Sequence, residues 1–155
     1  MEIAGRNALI TGGAHRVGRA LTLALAAAGA DVFIHYNRSS APAEETAAAA
    51  QAMGRRAVTG AANLSDPATA APLLDAATVA LGPISILVNS ASGFPTDTLE
   101  EVTLDGWRST HDLTLATPMM LTQAFALALP EGETGAVLNV TDVRTATPYR
   151  THFSY

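Results

Sequence analysis

The sequence predicts an α/β fold built on a doubly wound parallel sheet. Three observations predict it. Short apolar runs alternate with longer stretches of helical periodicity, in the order βαβαβαβαβ. The runs are almost continuously apolar, as strands covered on both faces are. No linker or low-complexity segment interrupts the 155 residues, a length that suits one domain with a sizeable core.

Residues 6–13 (RNALITGG) form an apolar run that ends in glycines, the mark of a buried strand feeding a turn. A helix follows, with Val17, Leu21, Leu25 and Ala28 at helical spacing and Gly29 as its stop. Residues 31–36 (DVFIHY) are a second strand, and 41–54 a second helix closed by Gly54. Residues 56–62 are a third strand. Ser65 or Asp66 caps a third helix, Pro67 fits its first turn, and Gly82 with Pro83 ends it. Residues 84–92 (ISILVNSAS) are a fourth strand, apolar up to Asn89. After a long loop comes a helix over about 103–129, with a kink expected at Pro118. Residues 135–141 (GAVLNVT) are the fifth strand.

Composition narrows the function. Apolar residues make up 48% and charged residues 15%, which places the chain among globular proteins rather than disordered ones. A formal net charge of -5 argues against nucleic acid or an anionic membrane as main partner. With no cysteine there is no disulfide framework, thiolate chemistry or Cys-based zinc site. His15, His35 and His152 are too scattered to suggest a metal site. The amino terminus lacks the zones of a signal peptide, and no apolar run reaches spanning length, so the expectation is a soluble cytoplasmic protein.

In a doubly wound sheet, ligands bind at the carboxyl ends of the strands, where strand order reverses. At the first strand end stands TGGAHRVG, residues 11–18. Its glycines permit a tight turn and close backbone approach, and the helix it opens offers free N–H groups to a pyrophosphate. At the second strand end an NAD enzyme carries an acid. This chain has Tyr36 there, and Arg38, Ser39 and Ser40 supply a cation and hydroxyls that suit a 2′-phosphate. NADP(H) is therefore expected over NAD.

The spacing TG-x-x-x-Arg-x-Gly resembles the TGxxxGxG pattern of the short-chain dehydrogenase/reductase family, which has the Rossmann-type fold. Arg16 stands at the middle glycine, as in the pteridine reductase branch. HYNRSS is similar to the HY-x-RS of that branch, and NSASGF to its Asn-x-Ala-Ser-x-Phe. The resemblance implies that Gly12, His15, Arg16, Val17, Gly18, His35, Tyr36, Asn37, Arg38, Ser39, Asn63, Leu64, Asn89, Ala91 and Ser92 bind the cofactor. Asn63 takes the place of the family's adenine-holding acid, and Ser90 that of its second asparagine. Phe94 is expected to stack on a pterin ring, with Arg16 and Ser92 also touching substrate.

The family's catalytic tyrosine falls at Tyr155. Thirteen residues before it, where most members have serine, stands Asp142, again as in pteridine reductases. The resemblance then implies that NADPH delivers hydride to a C=N bond of a dihydropterin or dihydrofolate, while Tyr155 supplies the proton, directly or with Asp142 and water. The family's Tyr-x-x-x-Lys lysine lies past the last residue, so the chain reads as stopping at its catalytic tyrosine, short of two further strands. Thr114 replaces the family's helix-four asparagine. His111 and Asp112 are adjacent on a helix and point apart, which suits capping or solvation better than acid–base pairing. Two alternatives stand: a carbonyl reductase of the 3-oxoacyl-carrier-protein type, against which Asp142 and Phe94 argue, and a non-catalytic NADP-binding module. The resemblance also implies a homo-oligomer, commonly a tetramer.

Overall fold

The computed structural model describes residues 2–143 and 150–155. Five strands, β1 (Asn7–Ile10), β2 (Asp31–Tyr36), β3 (Ala57–Ala61), β4 (Ile86–Asn89) and β5 (Ala136–Asn139), form one sheet in the order β3-β2-β1-β4-β5. Every pairing is parallel; Leu9, for example, lies beside Phe33 on one side and Leu87 on the other. Strand order reverses between β1 and β4, which makes the crevice above those two strands the ligand position of a doubly wound sheet.

Strand side chains alternate between two cores. Ala8, Ile10, Val32, Ile34, Ile86 and Val88 face α1 (Arg16–Ala27) and α2 (Ser40–Ala52). Their odd-numbered neighbours Leu9, Phe33 and Leu87 face α3 (Ala70–Leu81) and α5 (Thr117–Ala128). This is why β1, β2 and β4 read as unbroken apolar runs: each face has its own helical cover, whereas all four residues of β5 are exposed. On α2 the buried residues are Ala43, Thr46, Ala47 and Ala50, small enough to let the helix lie close against β2 and β3.

The strands are shorter than the apolar runs, because the glycines after Ile10 and the polar residues after Asn89 leave the ladder to build the site. Gly29 and Gly82 end their helices with positive φ, as their places predict. Ahead of α3 a 3-10 turn (Pro67–Thr69) is capped by Asp66, whose carboxylate accepts the Ala68 N–H at 3.0 Å. The long helix expected over 103–129 is divided. α4 (Leu104–His111), capped by the Thr103 hydroxyl on the Gly106 N–H, passes into a π-helical stretch (Asp112–Ala116) and then α5. Pro118 sits in the first turn of α5. It has no N–H to return to the preceding turn, and the widened turn ahead of it accommodates that loss.

Candidate functional site

A cleft of about 1600 Å³ opens over the carboxyl ends of β1, β2, β4 and β5. Thr11, just past β1, builds its centre. The buried Thr11 hydroxyl accepts the N–H groups of Ser90 at 2.9 Å and Ala91 at 3.0 Å, and the Thr11 N–H donates to the Val88 carbonyl at 2.9 Å. The glycine turn is thereby locked to the end of β4. Gly12, at φ 65, lies so close to this floor that a Cβ would stand 2.9 Å from the Ala91 Cα. A Cβ on Gly18 would fall 2.1 Å from the Gly12 carbonyl oxygen, so the first turn of α1 rests directly on the glycine loop.

That first turn is open to a ligand. His15, at its N-cap, makes no side-chain capping bond, and no acid lies in the first turn. His15, Arg16, Val17 and Gly18 all line the cleft. The unsatisfied amides and positive helix end therefore face it. Arg16 adopts φ 43, the one non-glycine in the left-handed region among the described residues. A side chain held there costs on the order of 1 kcal/mol, the kind of strain that marks a functional position.

Tyr36, Asn37, Arg38 and Ser39 line the cleft beyond β2. The ion pairs among the described residues are Arg6–Glu133 and Arg56–Asp31, so the guanidinium groups of Arg16 and Arg38 stay available to a ligand. Asp142 is the one carboxylate among the described residues lining the cleft, and it lies past β5, away from the glycine turn. Leu64 lines the cleft, whereas Asn63 is not among its lining residues. The Asn63 amide oxygen closes a turn instead, accepting the Ser65 N–H at 3.2 Å.

His35 also borders the cleft, yet it is 2% exposed and both ring nitrogens have protein partners. Nδ1 accepts the Gly12 N–H at 3.1 Å and Nε2 meets the Ala62 carbonyl at 3.1 Å. Burial pushes its pKa below the usual histidine value, against a smaller opposing pull from that carbonyl.

Asn89 forms part of the floor. Its amide donates to the Asn139 side-chain oxygen at 2.8 Å, bridging β4 to β5, while its own Oδ1 is buried without a partner. At the mouth, Phe94 is half exposed and stacks on His152 with ring centres 3.8 Å apart. Tyr155 meets Phe94 edge-on at 4.8 Å, and Ser92, Asp142 and Tyr155 line the same cleft. His152 Nδ1–H donates to the Pro95 carbonyl at 2.6 Å, and Asp97 accepts the Ser154 and Phe153 amides at 3.1 Å each. These bonds fasten the Tyr155 segment to the loop carrying Phe94. Thr114 borders the cleft, with its hydroxyl donated to the Thr110 carbonyl at 2.7 Å. His111 stacks on Trp107 at 4.1 Å, outside the cleft. Among the described residues no group of three or more potential metal ligands comes together, and no helix is long and apolar enough to cross a membrane.

Thr11 and Asn139 escaped the sequence reading. Thr11 was signalled as the first residue of the TG-x-x-x-Arg-x-Gly stretch, which was read for its glycines and arginine, and Asn139 by its place at the end of the fifth apolar run.

A parallel sheet in this order, with a glycine turn feeding an uncapped helix at its switch point, is the architecture of dinucleotide-binding α/β proteins. More narrowly, the chain belongs to the short chain dehydrogenase family, which it matches over residues 6–155. It is similar to a short chain dehydrogenase from Burkholderia cenocepacia solved in complex with NADP, with 32% identity, a TM-score of 0.91, and coverage of 99% of this chain and 62% of that one. It is similar also to FolM Alternative dihydrofolate reductase 1 from Brucella canis complexed with NADP, at 34% identity and TM-score 0.92, covering 100% of this chain and 63% of that one. A 3-oxoacyl-[acyl-carrier-protein] reductase from Synechocystis sp. is 32% identical over 88% of this chain and 55% of its own length. The chain spans 57% and 60% of two further curated relatives, less than two thirds of their length.

Proposed function

We propose that this chain holds NADP(H) and belongs to a reductase of flat heteroaromatic substrates, of the pterin or folate class. The observation that carries the proposal is the mouth of the cleft. A half-exposed aromatic face, Phe94, stands 4.8 Å from Tyr155, in the same cavity as Asp142 and the open end of α1. An aromatic wall beside a phenol suits a planar ring better than a flexible acyl chain. The similarity to a FolM dihydrofolate reductase supports the same class.

The residues fit the cofactor. The loop of Gly12 and Gly18 lies flat enough for a pyrophosphate to reach the amides of α1. Arg38 and Ser39 border the cleft where a ribose 2′-phosphate would repel an acid. When bound, NADPH supplies the hydride. Tyr155 donates the proton to the ring nitrogen of the reduced C=N bond, and Asp142 with water returns one to its oxygen. Exposed Leu104, Trp107, Leu115 and Met119 on and between α4 and α5 favour association of like copies.

The test is to supply the whole protein with NADPH and either dihydrobiopterin or dihydrofolate, with a 3-oxoacyl thioester as competitor class. Turnover of the pterin or folate alone is the expected result. Turnover of the thioester alone would transfer the assignment to carbonyl reduction, the activity of the Synechocystis relative. NADPH binding without turnover of any of them would leave a cofactor-binding module.

A further inference from the structure

The glycine loop depends on a side chain that offers the cofactor no polar atom. We infer that His35 is a positioning residue, whose single tautomer sets the Gly12 peptide and through it the first turn of α1. This inference rests on the dinucleotide reading above. Gly12 N–H can only donate, so the Nδ1 facing it at 3.1 Å carries a lone pair. The proton is then on Nε2, which donates to the Ala62 carbonyl at 3.1 Å. The two partners have fixed roles, and only the neutral Nε2–H imidazole satisfies both. Burial favours that neutral form.

The bridge has a directional consequence. Gly13 N–H donates to the His35 carbonyl at 3.0 Å, and Ala62 N–H to the Tyr36 carbonyl at 3.1 Å. The imidazole thus ties the turn after β1 to the end of β3 across the top of β2. It consumes the Gly12 N–H and so fixes the Thr11–Gly12 peptide, while the next peptide, whose Gly12 carbonyl is the atom against which Gly18 packs, is held by the Gly13 N–H bond to the His35 backbone. Gly12 is thus held from both sides, and release of the Thr11–Gly12 peptide would let its φ change and displace the carbonyl on which the start of α1 rests, where the amides that receive a pyrophosphate lie. The two arms of the ring differ in function. The Nδ1 arm holds the phosphate loop, and the Nε2 arm holds only a strand end.

Two near-isosteres separate the arms. Asparagine places an acceptor near the Nδ1 position and keeps the Gly12 bond. Glutamine reaches the Nε2 position and keeps the Ala62 bond. The whole protein is compared as wild type, His35→Asn and His35→Gln, by NADPH fluorescence titration and by melting without cofactor. Each variant loses one buried bond, so both melt lower to a similar degree. The expected difference is in binding: His35→Asn stays within about threefold of wild type, and His35→Gln weakens on the order of tenfold or more. Equal losses in both, or no loss in either, overturn the inference. Nitrogen NMR of the wild-type ring gives a reading that does not depend on any variant folding: a lone-pair signal at Nδ1 and a protonated signal at Nε2 are expected, and the opposite tautomer overturns it. If wild type binds NADPH and the variants do not separate, only the positioning role fails. If wild type binds neither NADPH nor NADP, the dinucleotide reading fails and takes this role with it.

Discussion

Arg16 carries a cost that a glycine would not. Its φ of 43 lies where a Cβ crowds the following carbonyl, and it makes neither of the ion pairs found among the described residues. The side chain lines the cleft, where the proposed reading has it meet the cofactor or substrate. Arg16→Gly is expected to raise the melting midpoint of the cofactor-free protein, by an amount equivalent to about 1 kcal/mol or less. The same variant should weaken NADPH binding several-fold, read by fluorescence titration. A drop in both would show that the arginine supports the loop itself. Asn63 teaches the reverse lesson at this scale. The resemblance expects it at the adenine, whereas in the structure its amide oxygen accepts the Ser65 N–H and Leu64 lines the cleft.

Elements were legible in the sequence to the extent that their signals are local. Apolar runs announced all five strands, and Gly29, Gly54 and Gly82 marked helix ends, each at positive φ. The π-helical stretch was not legible, because a shift in backbone bonding leaves no side-chain pattern beyond Pro118 itself. Nor was the Thr11 node, whose partners lie 79 and 80 residues away and meet it only when β1 and β4 pair. Thr11→Val tests that node. It keeps the shape and removes the acceptor, leaving the Ser90 and Ala91 amides without their partner. A loss of about 2–4 kcal/mol in urea unfolding is expected. At the opposite sheet edge, Asp31 joins the start of β2 to the residue preceding β3, accepting from Arg56 Nε at 2.7 Å and from its backbone N–H at 2.9 Å. Burial acts to raise the Asp31 pKa, but the Arg56 bonds and the charges of Arg56 and Arg55 outweigh it and hold the carboxyl below its usual value. The folded state then binds fewer protons than the unfolded one, so this stabilisation is whole above about pH 3.9 and fades as pH falls through the lower folded value. Asp31→Asn should cost about 1 kcal/mol or less at neutral pH, since Arg56 is largely exposed, and the gap to wild type should close in acid. A gap that persists at low pH would mean that the charge contributes nothing.

At the scale of the whole molecule, the two ends of the sheet do different work. The amino ends carry Arg6–Glu133 and Asp31–Arg56, polar ties between neighbouring elements that lie away from the cleft. The carboxyl ends carry strain, an orphaned Asn89 oxygen, open helix amides and exposed aromatic rings, all around one cavity. Fold and site are therefore separable, and the joint between them is Asp97. Its backbone accepts the Phe153 N–H and donates to the Thr151 carbonyl, both at 3.1 Å, and its carboxylate accepts the Ser154 N–H. Ser154, by its side chain and then its backbone, holds the Asp97 carboxyl below the usual range, so the joint is ionised throughout the neutral region. Asp97→Ala leaves the glycine turn, both cores and the two backbone bonds untouched, but removes the carboxylate that holds the Ser154 N–H beside Tyr155 and so loosens the aim of Tyr155 at Phe94. In the whole protein, NADPH affinity should stay at the wild-type level while kcat falls on the order of tenfold, the scale of loss when a reacting group is displaced by a fraction of an ångström. Loss of NADPH affinity in step with kcat would mean that the two halves of the cleft are one cooperative unit, and that Asp97 supports the fold rather than the placement of the phenol.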